Sequence, residues 1–289
     1  MLWLWMSAAL AGAPWMRAPG ATYSKVSVQR FATAGFVDQD GTVPDDTPTV
    51  SWSIGVYAEV GVLPHLQLAA SLPWVASHAD VGDARFSNRS GGDALLDLTF
   101  GGDLTSGLPG ALTFRSKWPT YDHARLRSYG AAGGRFPAAG DGQVDLELLG
   151  HIGTGLARGD WRGWWMTETG YRHRTEWWVG DSQPNEREVG DGITARVQLG
   201  WTPIHKGRNL GWLFVESDAV KALTPSDTTR EQLQLSIGAA GMISPSIAAE
   251  LGVSHLLWTA ASAPGTALRL GVSWQRTPPV RGAEDMQPG

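Results

Sequence analysis

The chain of 289 residues has no cysteine, which excludes disulfides, thiolate metal centres and a cysteine nucleophile together. Charge is also scarce, with Asp, Glu, Lys and Arg at 18% of the residues, where soluble domains carry about 25%. The 23 bases fall short of the 28 acids, for a net charge of −5, and such a balance argues against a nucleic-acid partner. No apolar run approaches the roughly 18 uninterrupted residues of a membrane helix, so helical spans are excluded. Glycine (37 residues) and tryptophan (15 residues) are abundant instead. Low charge with much Gly and Trp suits a chain that meets lipid on alternate residues only.

Residues 1–13, MLWLWMSAALAGA, form a short apolar run ending in small residues. The run is too short to span a bilayer and reads as a secretory signal peptide, with Ala9-Leu10-Ala11 or Ala11-Gly12-Ala13 as the cleavage motif. No Lys or Arg precedes it.

The rest of the chain repeats one pattern of alternation, turn, alternation and longer polar loop. Across residues 50–62, Val50, Trp52, Ile54, Val56, Ala58, Val60 and Val62 share one face, and Ser51, Ser53, Gly55, Tyr57, Glu59 and Gly61 share the other. A period of two sustained this far predicts a strand long enough to cross a bilayer at a tilt. Similar runs fall at 66–76, 93–104, 111–118, 144–152, 193–201, 233–239 and 268–274, with weaker ones at 22–32, 161–175, 210–221 and 247–258. Short links near 63–65, 105–110, 157–160, 203–209 and 244–246 alternate with longer ones near 33–49, 77–90, 119–142, 175–190, 222–230 and 259–266.

These features predict an all-β fold: a single closed antiparallel transmembrane β-barrel of about twelve strands, with short periplasmic turns and longer extracellular loops. The barrel is expected over 22–274, with 275–289 as a periplasmic tail. The expected location is the bacterial outer membrane, as a monomer in contact with membrane lipid and inserted by the barrel-assembly machinery.

Several segments resemble an outer-membrane family named after a protein of the phenol meta-degradation pathway. Residues 66–74 (LQLAASLPW) resemble its third strand, which closes on Pro-aromatic, and Gly91-Gly92-Asp93 with Leu96-Asp97-Leu98 resembles its Gly-x-Gly-Asp strand start. Lys117-Trp118-Pro119-Thr120 resembles its Lys-x-Pro-Thr-Gly strand end, with Tyr121 in place of the glycine. The stretches 140–146 and 168–172 match in order and spacing, so the resemblance runs from about 50 to 274. It implies a channel-like barrel for uptake of small hydrophobic or aromatic solutes. A non-conducting barrel with a structural or surface-adhesion role is the alternative.

Strand parity turns a set of polar residues toward the lumen. The pore-lining candidates are Glu59, Asp97, Arg115, Lys117, Asp145, Glu147, His151, Trp164, Glu168, Arg172, Arg196, Glu216, Glu250 and Arg269. A charged pore that selects solutes and a salt-bridge network that fills the lumen are both consistent with this set. The tryptophans clustered around 161–178 read as interfacial girdle residues, with stacking of an aromatic solute on the inward-turned Trp164 as the alternative. The glycine-rich loop over 121–142 carries Arg125, Arg127 and Arg135 and is expected to fold inward and constrict the pore mouth.

No enzymatic activity, cofactor or metal is expected. A barrel phospholipase needs His and Ser two apart on one strand face, so that the imidazole can take the hydroxyl proton. None of the seven His residues has Ser two positions later. Asp38-Gln39-Asp40-Gly41 with Asp45-Asp46 lacks the terminal Glu of a calcium loop.

Overall fold

The computed structural model describes residues 14–35, 46–81, 84–105, 107–121, 142–158, 161–178, 190–206, 208–223, 231–260 and 264–277. The expected signal peptide and nearly all of the expected C-terminal tail lie outside these residues. In chain order the strands are β1 (Thr22–Gly35), β2 (Asp46–Leu63), β3 (Leu66–Val81), β4 (Ala84–Gly91), β5 (Asp93–Thr105), β6 (Leu108–Pro119), β7 (Gln143–Arg158) and β8 (Trp161–Trp178). They continue with β9 (Gly192–Trp201), β10 (Ile204–His205), β11 (Arg208–Asn209), β12 (Gly211–Ala222), β13 (Glu231–Ser244), β14 (Ile247–Ala260) and β15 (Thr266–Arg276).

β4 and β5 both pair with β3 and make one wall strand, interrupted at Gly92. β10 and β11 pair only with each other, as a small hairpin between β9 and β12. The wall therefore has twelve antiparallel strands. It closes where β1 meets β15, from Thr22 opposite Arg276 to Ala32 opposite Thr266. Closure is the physical requirement: lipid satisfies no backbone group, and an open edge would leave a row of unpaired N–H and C=O groups.

Alternation sets the two faces of the wall. The outward face of β2 presents Trp52, Ile54 and Val56 at about half exposure, and β9 and β15 do the same with Val197, Leu199, Leu268 and Leu270. Such residues recur around the whole circumference, a band far larger than the few hundred Å² of apolar patch a water-soluble surface tolerates. Tryptophans edge the band, with Trp161, Trp201 and Trp274 toward the short-turn end and Trp52, Trp74, Trp118, Trp177 and Trp258 toward the long-loop end. These are the interfacial girdles of a lipid-facing barrel, where an amphipathic indole sits best.

Several strands run beyond the ends that alternation marks. The stretch 77–90, expected as a loop, is mostly a hairpin in which β3 continues to Val81 and pairs with β4, Ser77 opposite Asn88. Likewise β8 continues to Trp178, β13 covers Glu231–Ser244, and β15 ends at Arg276 rather than 274. Above the apolar band nothing requires outward residues to be apolar, so the alternation fades while backbone pairing continues.

Candidate functional site

The inner face of the wall divides into three zones. Across β5 to β12, acids and bases alternate along direct cross-strand pairs, the strand positions at which side chains interact most strongly. In the row nearest the long loops, Lys117 lies 3.7 Å from Asp93 and 2.9 Å from Asp145, and Asp145 lies 3.4 Å from Arg174. In the next row Arg115 grips Asp97 with two bonds, Nε at 2.8 Å and Nη2 at 2.9 Å. The same guanidinium lies 3.6 Å from Glu147, which accepts from Arg172 Nε at 2.5 Å.

A third row runs through His151. Its Nε2 meets Thr113 Oγ1 at 2.9 Å, and its Nδ1 lies 3.3 Å from Glu168. Glu168 in turn lies 3.8 Å from Arg196, which donates to Asp218 at 2.5 Å and lies 3.9 Å from Glu216. Gln198 donates to Glu216 at 2.8 Å. Buried charges are tolerated here because each lies beside a counter-charge on a neighbouring strand.

The second zone is the opposite wall, which has few charges. Lys25 on β1 reaches Glu250 on β14 by passing over β15 at Gly271, where an added Cβ would lie 3.3 Å from Lys25 Cε. Tyr23 adds a hydrogen bond to Glu250 at 3.3 Å. Toward the long loops, a cavity of about 260 Å³ lies against β12, β13, β14, β15 and β1, lined by Gln29, Phe31, Glu216, Gln234, Ser236, Ser254 and Arg269 among others.

The third zone closes the short-turn end. Here the inward positions turn apolar: Trp164, Met166, Trp212, Phe214, Ala240 and Ala248 form one buried cluster, with Met242 and Trp15 packed against it. Glycines on adjacent strands make room for the rings. A Cβ at Gly200 would meet the Trp164 ring at 2.1 Å, and one at Gly238 would meet Phe214 at 2.4 Å.

Residues preceding β1 complete this closure from inside the barrel. Gly20 N–H donates to Gly61 O and Ala21 N–H to Ala18 O, turning the segment inward. Arg17 N–H donates to Gln67 Oε1 at 3.1 Å, and the Arg17 guanidinium pairs with Glu59, which is almost fully buried. Met16 reaches Gly101 on β5, Pro14 reaches Gly153 on β7, and the Trp15 ring meets Trp164 edge-on at 6.3 Å. Contacts on β2, β3, β5, β7 and β8 show that the segment crosses the lumen.

The candidates from strand parity thus fall into different surroundings. Asp97, Arg115, Lys117, Asp145, Glu147, His151, Glu168, Arg172, Arg196 and Glu216 join in the ladder, while Glu59 and Glu250 hold Arg17 and Lys25. Trp164 is covered by Trp15, and Arg269 faces the cavity. Sequence reasoning missed Trp15, Arg17, Lys25, Trp212, Phe214 and Asp218. Trp212, Phe214 and Asp218 share the parity of Glu216, which marked them as inward. Residues 122–141 of the loop expected to constrict the mouth lie outside the described residues, as do 36–45. The ends of the former loop are tied, since Tyr121 donates to Asp93 at 3.0 Å and accepts from Gly142 N–H at 2.7 Å. Among the described residues, no group of three or more His, Asp or Glu is placed to hold a metal ion.

The architecture is shared with known barrels. An outer-membrane channel from Pseudomonas putida F1 superposes with a TM-score of 0.64 at 14% identity, covering 92% of this chain and 99% of the channel. The β domain of the Bordetella autotransporter BrkA gives 0.51 at 11% identity, covering 89% and 100%, and the NanC porin gives 0.50 at 6%, covering 87% and 98%. The neighbours are outer-membrane barrels. No protein-family model matches the chain, and no curated protein sequence matches it.

Proposed function

We propose that this chain is a bacterial outer-membrane barrel for passive passage of small, hydrophobic or aromatic solutes, belonging to the phenol-degradation outer-membrane family that its motifs resemble. In this reading the long loops are extracellular, both chain ends are periplasmic, and the barrel works as a monomer after removal of the N-terminal signal. The observation that carries the proposal is the divided lumen. Its extracellular half is polar and holds a cavity, and its periplasmic half is closed by aromatic side chains and by a segment covalently continuous with β1 and held to the other strands by non-covalent contacts alone. The two signal-cleavage sites place the new N-terminus at Gly12 or at Pro14, which leaves that segment free at one end to move.

An aromatic closure favours aromatic solutes, because a ring displacing Trp15 recovers edge and face contacts with Trp164. The second reading, a non-conducting barrel, is favoured by the same closure if the segment never leaves.

Conductance in planar bilayers separates the two. The wild type should conduct weakly and intermittently. The double variant Trp15→Ala/Arg17→Ala should conduct more and stay open longer while its barrel remains folded. If the variant is folded and silent, the channel reading is wrong.

A further inference from the structure

Among the described residues, Arg269 stands apart from the cations of the ladder and from Arg17 and Lys25. Arg17, Lys25, Arg115, Lys117, Arg172, Arg174 and Arg196 each lie within ion-pair distance of a carboxylate. Among the described residues, Arg269 has neither a hydrogen bond nor an ion pair. Its guanidinium lies along the wall over Gly252, whose added Cβ would stand 3.7 Å from Nη2 and 3.8 Å from Nε. The glycine leaves the planar fork open toward the cavity.

Most of the side chains lining the cavity beside that fork are neutral. Gln29, Gln234, Ser236 and Ser254 supply amide and hydroxyl groups, and Phe31 supplies an aromatic ring near the extracellular mouth. One acid, Glu216, also lines the cavity and feels the charge of Arg269 from beyond ion-pair distance, while its direct contacts go to Gln198 and Arg196. An unpaired guanidinium presents parallel N–H donors that match a carboxylate bidentately.

We propose that this cavity is a binding site for small organic monocarboxylates, with the carboxylate on Arg269, further hydrogen bonds from the glutamines and serines, and an aromatic ring directed toward Phe31. The cavity volume suits a ligand of benzoate size. The site deepens the passage reading by naming a charged subset of aromatic solutes, and it lies on the extracellular side of the closure. Here an anion is concentrated before the segment moves.

Calorimetric titration of the folded full-length protein in detergent, with benzoate and its neutral isostere benzamide, tests the site independently of conduction. Benzoate should bind, and benzamide should bind about tenfold or more weakly, the loss expected when a charge-assisted pair is replaced by neutral bonds. Arg269→Gln should remove the preference for benzoate while the barrel stays folded, since Arg269 makes no hydrogen bond or ion pair with the described residues. Arg269→Lys should keep part of it, as a point charge without the fork. Equal binding of the two ligands, no benzoate binding, or an unchanged preference in Arg269→Gln overturns the site. Benzoate binding by a barrel that never conducts upholds the site and overturns the passage reading instead.

Discussion

Arg115 sits between two carboxylates on flanking strands, Asp97 and Glu147, with only a fifth of its own side chain exposed. Replacing it by Met preserves length and removes the charge, leaving two acids facing each other across β6. The expected cost is about 3 kcal/mol, the penalty for orphaning partly buried charges, read as an earlier loss of the folded band when unboiled samples are heated before electrophoresis. The double replacement Arg115→Met/Asp97→Leu should recover part of that loss; no loss in the single variant would show that water already screens the row. Parity in the sequence placed Asp97, Arg115 and Glu147 on one face, and that much was legible. Their adjacency was not, because a period of two fixes the face of a strand and says nothing of its offset against the neighbour. Arg17 and Trp15 were illegible for another reason: they precede the first strand, where no periodicity exists to read.

At the scale of single elements, the β3–β4 hairpin shows what alternation conceals. Its apolar signal stops near Ala76, yet the ladder continues to Val81 opposite Ala84. Near the tip, Arg85 donates to Asp80 through Nε at 2.7 Å and Nη2 at 3.1 Å. That pairing holds the Asp80 carboxyl below the usual carboxylate range, chiefly through the hydrogen bonds from Arg85. A depressed carboxyl favours the paired tip at pH above its unfolded value, and the benefit disappears as pH falls through the folded one. Asp80 should therefore titrate at lower pH than an ordinary aspartate in an NMR titration of the refolded barrel, and Arg85→Gln should return it to the ordinary range. An unchanged midpoint in the variant would mean that the pair does not persist in solution. Turns read well from the sequence because Gly and Pro mark them. The strand extensions did not, since backbone pairing above the membrane needs no particular side chain.

For the whole molecule, the barrel class followed from the alternation and from the even count of strands, whereas the division of the lumen did not. Trp212 and Phe214 share the parity of Glu216, yet inward positions near the short turns are as apolar as outward ones, so the pattern gave no sign that the lumen closes there. The N-terminal segment has a practical consequence, because the native chain contains no cysteine and a single introduced thiol is a unique chemical handle. Met16→Cys lies within the lumen, and Ser246→Cys lies in the exposed β13–β14 turn. A bulky maleimide should modify the folded Ser246→Cys protein at once and the folded Met16→Cys protein slowly, with both equally fast after boiling. Equal rates in the folded state would place the segment outside. If the rates differ, the slow one becomes a clock: its dependence on reagent size reports how often, and how widely, the barrel uncovers its own beginning.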